Sequence, residues 1–163
     1  MRRIALYSIL SLLFILLQTT VVKFLSLGRI VPDILLIWVV YVAIRQGQAA
    51  GTAAGFLTGL VVDLLSGSDG MLGLAALSKT VAGFIAGFFY DENKMFQTLG
   101  GYQILIAVGV ASVLQNVIYF VIFLQGSEIG WWGAILLYGL PTSFYTVVVT
   151  LLPMFAYARK YLT

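Results

Sequence analysis

PDILLIWVVYVAIRQGQAAGTAAGFLTGLVVDLL, residues 32–65, is the stretch on which the fold turns. It holds two apolar pieces, residues 34–44 and 49–65, split by Arg45-Gln46-Gly47-Gln48. Read as one long helix, it buries Arg45 in lipid, at a cost of at least ~2.5 kcal/mol even on lenient insertion scales. Read as two helices with a tight turn, it brings Arg45 to a membrane face. The flanking sequence gives the setting. Residues 4–22, 97–127 and 130–158 carry no charge, and residues 71–90 carry one, Lys79. Apolar runs of ~18 or more residues are long enough, as helices, to cross the hydrocarbon core. Hydrophobic residues make up 61% of the chain and the mean hydropathy is +1.05. A soluble domain of this size does not bury that much apolar surface. The expected fold is an all-α integral membrane protein, with residues 1–163 forming a single transmembrane domain.

Charge placement sets the helix count. With the N-terminus cytoplasmic and helices at about 4–24, 32–45, 49–65, 71–90, 101–124 and 131–157, Arg2, Arg3, Arg45, Lys94, Arg159 and Lys160 all lie inside. Lys23 and Arg29 lie outside. A five-helix count strands Arg159 and Lys160 on the wrong side. The expectation is a bundle of six transmembrane helices with both termini cytoplasmic. The opening Met1-Arg2-Arg3 resembles a secretory leader, but the run ends in Gln18-Thr19-Thr20-Val21-Val22-Lys23, without a small-x-small cleavage site, so it reads as a retained first helix. The second helix, from Pro32 to Arg45, is about 21 Å long at 1.5 Å per residue against a core of ~30 Å. It must be shielded by neighbours, thin the bilayer or extend into its loops. Pro32 suits its first turn.

The composition also excludes chemistry. There is no Cys, so there are no disulfides or thiolate metal sites. There is no His, the usual general base near neutral pH. The six acids form no catalytic dyad, and phosphate loops, nucleophile elbows and metal-ligand clusters are missing. The sequence therefore nominates no catalytic, cofactor-binding or metal-binding residue. A net charge of +3, tied to helix ends, does not suggest nucleic-acid binding.

Gly47, Gly51, Gly55 and Gly59 recur every four residues, with Asp63 as the next step, and form one stripe on a helix. The fourth helix repeats the pattern with Ala75, Lys79, Gly83 and Gly87. Such stripes let backbones approach closely. Either the third and fourth helices pack through them, or they form a groove for a partner's helix. Asp63 and Lys79 are the charges expected within the membrane. They are either an interfacial Asp and a snorkelling Lys, or a polar contact in the outer half of the bundle. Gln115 and Asn116 sit mid-helix and should hydrogen-bond to a neighbouring helix. Pro141 should kink the last helix, with Tyr138, Thr142 and Tyr145 around the break. Trp131 and Trp132 open that helix at an expected interface.

Taken in order, Pro32-Asp33-Ile34-Leu35-Leu36, then Arg45-x-Gly47, Gly51, Gly55-Phe56-x-x-Gly59-Leu60-x-x-Asp63-Leu64-Leu65-Ser66-Gly67, then Gly73-Leu74-x-Ala76-Leu77 and Gly83-Phe84-x-Ala86-Gly87, resemble the bacterial rod shape-determining MreD family. The likeness covers about residues 32–87. It implies a non-catalytic, multi-pass protein of the bacterial cytoplasmic membrane that supports rod shape and sidewall peptidoglycan synthesis. The implied partner is a single-pass protein of the MreC type, with MreB, RodA and a class B penicillin-binding protein nearby, and membrane lipid around it. The family fold is similar to the substrate-binding subunits of energy-coupling-factor transporters. That similarity leaves a vitamin-like transport subunit as the alternative function.

Overall fold

A computed structural model describes residues 2–21, 30–65, 71–124 and 130–161. The described elements are helical: α1 (Arg2–Leu16) running into a π-helical turn (Leu17–Val21), α2 (Ile34–Gln46), α3 (Gln48–Leu65), α4 (Leu74–Ala86) ending in a 3₁₀ turn (Gly87–Phe89), α5 (Met95–Gly100), α6 (Gln103–Phe123), α7 (Trp131–Ala134), and α8 (Leu140–Tyr161). A π-helical turn, Ile135–Gly139, joins α7 to α8 without a break. Lys23, Arg29 and the Ser66-Gly67 pair of the family motif lie outside the described residues.

Residues 31–65 form two helices, as the position of Arg45 requires. The join is one residue, Gly47, at φ 91° and ψ 175°. That region of backbone space is essentially closed to residues with a Cβ. The Gly47 N–H still bonds the Ala43 carbonyl at 2.9 Å, and Gly51 N–H bonds the Gly47 carbonyl at 3.1 Å. Gly47 is therefore a hinge between helices and not the first step of the packing stripe.

Three helical runs are long and apolar enough to cross a membrane: Gln48–Leu65, Gln103–Phe123 and Trp131–Lys160. Three shorter ones, Ile9–Thr20, Ile34–Gln46 and Leu74–Phe89, are apolar as well. Of the three options for the short α2, shielding is the one realised. Leu35, Leu36, Val39, Val40, Ala43 and Ile44 are each 0% exposed, so α2 is the axis on which the others pack. Large apolar side chains face outward instead. On α8, Phe144, Val148, Leu152 and Phe155 form an exposed stripe, while Ser143, Thr146 and Thr150 turn inward. On α8, large apolar side chains outside and hydroxyls inside reverse the soluble pattern and suit a lipid surround.

α3 and α4 make the most extensive helix–helix contact. The cause is the glycine seam. A Cβ on Gly55 would lie 2.2 Å from the Lys79 carbonyl oxygen, one on Gly59 2.5 Å from that of Ala75, and one on Gly83 2.2 Å from that of Gly51. Carbonyl oxygens occupy the places where side chains would begin, so the seam is already filled by this chain. Gly87 meets Gln48 at the other end, where Gln48 Nε2 donates to the Phe84 carbonyl at 3.1 Å. At Pro141, where the sequence predicts a kink, the helix continues into α8 directly after a π-helical turn, and both features are usual places for a helix to bend. Residues 95–100, read from sequence as part of a connection, instead form α5, whose Thr98 and Leu99 are buried.

Candidate functional site

The site begins with a backbone problem. α2 starts inside the bundle, and the first amides of any helix lack partners within it. Pro32, buried, precedes the helix, and is not in its first turn. Asp33 is the N-cap: its Oδ1 accepts from Leu36 N–H at 2.9 Å. Gln18, carried on the π-helical turn of α1, accepts from Ile34 N–H through Oε1 at 2.9 Å. Its Nε2 donates to the Pro32 carbonyl at 3.3 Å. The Asp33 N–H donates to Thr146 Oγ1 of α8 at 3.0 Å, and Thr146 in turn donates to the Thr142 carbonyl at 2.8 Å. Two other elements, the π-helical turn of α1 and α8, thus join Asp33 in capping this helix start.

The capping carboxylate then needs a counter-charge, because a buried ion left alone is costly. Lys79 of α4 supplies it: Nζ donates to Asp33 Oδ2 in a direct ion pair. Gln115 of α6 donates to the same oxygen through Nε2 at 2.7 Å, and its Oε1 lies 3.4 Å from Lys79 Nζ. Next to it, Asn116 Nδ2 donates to Ser143 Oγ at 2.9 Å and to the Gly139 carbonyl at 3.2 Å. Ser112 donates to Ser143 Oγ at 3.1 Å. The result is a polar layer joining α1, α2, α4, α6 and α8 inside an apolar bundle.

The expected contact between Asp63 and Lys79 gives way to two separate arrangements. Lys79 turns inward to Asp33. Asp63 sits at the end of α3 and caps α4: its carboxylate accepts from Gly73, Ala75 and Ala76 N–H at 3.1, 3.0 and 2.9 Å. A negative group at a helix N-terminus also meets the favourable end of the helix dipole. Of the residues singled out from sequence, Lys79, Gln115 and Asn116 belong to the polar layer, and Gly51, Gly55, Gly59, Gly83 and Gly87 to the seam. Asp33 entered that reading as part of a family motif and is the centre of the layer. Its capping role was visible in the sequence, as an Asp directly before an apolar helix. Thr146, Ser112 and Ser143 carried no signal beyond their inward spacing on helices.

Among the described residues, no group of acids is placed to hold a metal ion. Every Asp33 oxygen is engaged, so the layer as built orients helices and neutralises charge. No curated protein and no solved structure matches the chain. The family model of the rod shape-determining protein MreD matches residues 1–162. With a motif order that fits over residues 32–87 and a match over residues 1–162, the chain belongs to the MreD family of rod shape-determining membrane proteins.

Proposed function

We propose that this protein is a non-catalytic scaffold of the bacterial cell-elongation machinery. It spans the cytoplasmic membrane six times with both termini cytoplasmic, and it binds an MreC-type single-pass protein. Contact with MreB, RodA and a class B penicillin-binding protein in sidewall peptidoglycan synthesis is then indirect. The observation that carries this reading is the family match along residues 1–162. The interior supports it, because the polar layer is spent on holding helices together.

Orientation follows from the positive-inside rule. Arg45 ends α2 and Arg159 and Lys160 end α8, at the face assigned to the cytoplasm. α2, at about 20 Å, then stops roughly 10 Å short of the outer face of a ~30 Å core. The Asp33–Lys79 pair lies at that depth, within the outer half.

The mode of recognition is helix against helix within the membrane. The glycine seam cannot serve, because α3 and α4 already fill it. The partner surface is therefore one of the outward apolar faces, such as that of α8. Co-expression with the MreC-like protein, with and without its transmembrane helix, tests both claims. Capture that needs the helix is the expected result. Equal capture without it overturns the intramembrane mode, and no capture in either case overturns the scaffold reading. Labelling of a cysteine placed beside Arg45 from the periplasmic side refutes the orientation.

A further inference from the structure

α1 stands partly away from the bundle, and a groove of about 1240 Å³ runs between it and the α2–α3 pair. Phe14 of α1 lines one wall, Ala53, Ala54 and Leu57 of α3 line the other, and Trp38 and Tyr41 of α2 form the floor. Two alanines in place of larger side chains keep the space open. The groove is accessible from the side, since Leu12 and Leu57 on its rims are 61% and 60% exposed. The Trp38 indole is already engaged, its Nε1 giving its hydrogen to Ser11 Oγ at 2.9 Å. Along α3 the lining runs from Ala50 to Val61, about 16 Å at 1.5 Å per residue. That is close to one leaflet, half of a core of ~30 Å.

At one end the apolar walls give way to Arg45. Its Nη1 donates to Tyr41 Oη, and its guanidinium carbon lies 5.7 Å from the Tyr41 ring centroid. It has no carboxylate partner among the described residues. This is also the end at which α1 begins with Arg2 and Arg3, since α1 runs antiparallel to α2 through the Ser11–Trp38 and Gln18–Ile34 contacts. An exposed guanidinium with no carboxylate partner among the described residues, at the mouth of a leaflet-deep apolar groove, matches a phosphate above an acyl chain. A second protein's transmembrane helix is a poorer complement. Its cytoplasmic flank carries the usual Lys and Arg excess, which would face Arg45 with like charge.

We infer that this groove binds one anionic phospholipid in the leaflet on the Arg45 side, with its phosphate on Arg45 and an acyl chain along Ala53, Ala54 and Leu57. The inference is separate from the scaffold reading, because lipid binding is measured on the isolated chain. The test titrates detergent-purified protein with phosphatidylglycerol or phosphatidylcholine and counts bound lipid by native mass spectrometry. Both lipids carry the phosphodiester, but phosphatidylcholine sets its quaternary ammonium beside the Arg45 guanidinium, so the wild type should retain phosphatidylglycerol about tenfold more, the scale of one like-charge contact near a surface. Arg45→Gln, an exposed change that leaves the bundle intact, should bring the two lipids level. Ala53→Phe should lower retention of both. Equal retention by the wild type, an unchanged preference in Arg45→Gln, or unchanged retention of both lipids in Ala53→Phe overturns the proposal. As a second measurement that needs no packing change, benzoylphenylalanine at the exposed Leu57 is illuminated in membranes. A lipid adduct is expected, and a cross-link to a protein chain in its place overturns the lipid assignment.

Discussion

Lys79→Met removes the cation from the centre of the polar layer at nearly constant side-chain volume. Its consequence can be worked out from the geometry. The side chains of Lys79 and Asp33 are 7% and 14% exposed, so water does not replace the lost charge. Asp33 cannot turn away either, because its Oδ1 caps Leu36 and its Oδ2 accepts from Gln115. Removing one partner of a buried pair costs about 3–5 kcal/mol, chiefly because the other charge is stranded. Asp33→Asn alone strands Lys79 but keeps an oxygen for the cap, so it should cost somewhat less, about 2–4 kcal/mol. The double variant leaves no charge, a capping amide and a neutral side chain, and should return to within ~1–2 kcal/mol of the wild type. The assay is reversible denaturation of the purified protein in mixed micelles, analysed as a double-mutant cycle. Additive single effects, or either single variant within about 1 kcal/mol of the wild type, would refute the claim that this pair holds the layer together.

Other outcomes follow from the same contacts. Gly55→Ala places a Cβ 2.2 Å from the Lys79 carbonyl oxygen, which is backbone and cannot step aside, so α3 and α4 must separate. The expected loss is about 1–3 kcal/mol, larger for Gly55→Leu, read from the denaturation midpoint and from capture of the partner; normal stability would mean the seam is not a close contact. Gly47→Ala should cost about 1–3 kcal/mol through backbone strain alone, since the nearest atoms, of the Tyr90 ring, are at 3.8 Å and leave room for a methyl. Asp63→Ala should cost about 1–2 kcal/mol as a lost cap, with Asp63→Asn recovering part of it; identical midpoints for Ala and Asn would show that the three amide contacts contribute nothing.

How much of this was legible in the sequence depends on the range of the interaction. The split of residues 31–65 was legible because a lone Arg between apolar pieces has one inexpensive solution. The glycine seam was legible because a four-residue period maps directly onto one helix face, and its neighbour across the hairpin carries the same period. Gly47 shares that period for another reason: it is the turn itself, and spacing alone cannot separate a hinge from a packing surface. The partner of Lys79 was not legible. Asp63 lies across the same hairpin and looked closest, whereas Asp33 is 46 residues away in the chain. What decides between them is that α2 begins midway through the bundle, and a helix start is a tertiary fact.

These features form a chain of dependence. α2 is short, so its first amides fall within the apolar interior and need a cap. Asp33 provides the cap, and a capping carboxylate in that setting needs a cation. Lys79 can serve because α4 lies against α3 with glycine at the point of contact: the backbone atom that fills the missing Gly55 side chain is the carbonyl oxygen of Lys79. The seam and the polar layer are thus one device, in which glycine on α3 fixes the residue of α4 that neutralises the start of α2. On this account the glycine period and the Pro32-Asp33 motif meet at one residue, Lys79, whose backbone packs on Gly55 and whose side chain pairs with Asp33. A bundle made this way keeps its polar groups inside and turns large apolar side chains such as Phe144, Leu152 and Phe155 outward.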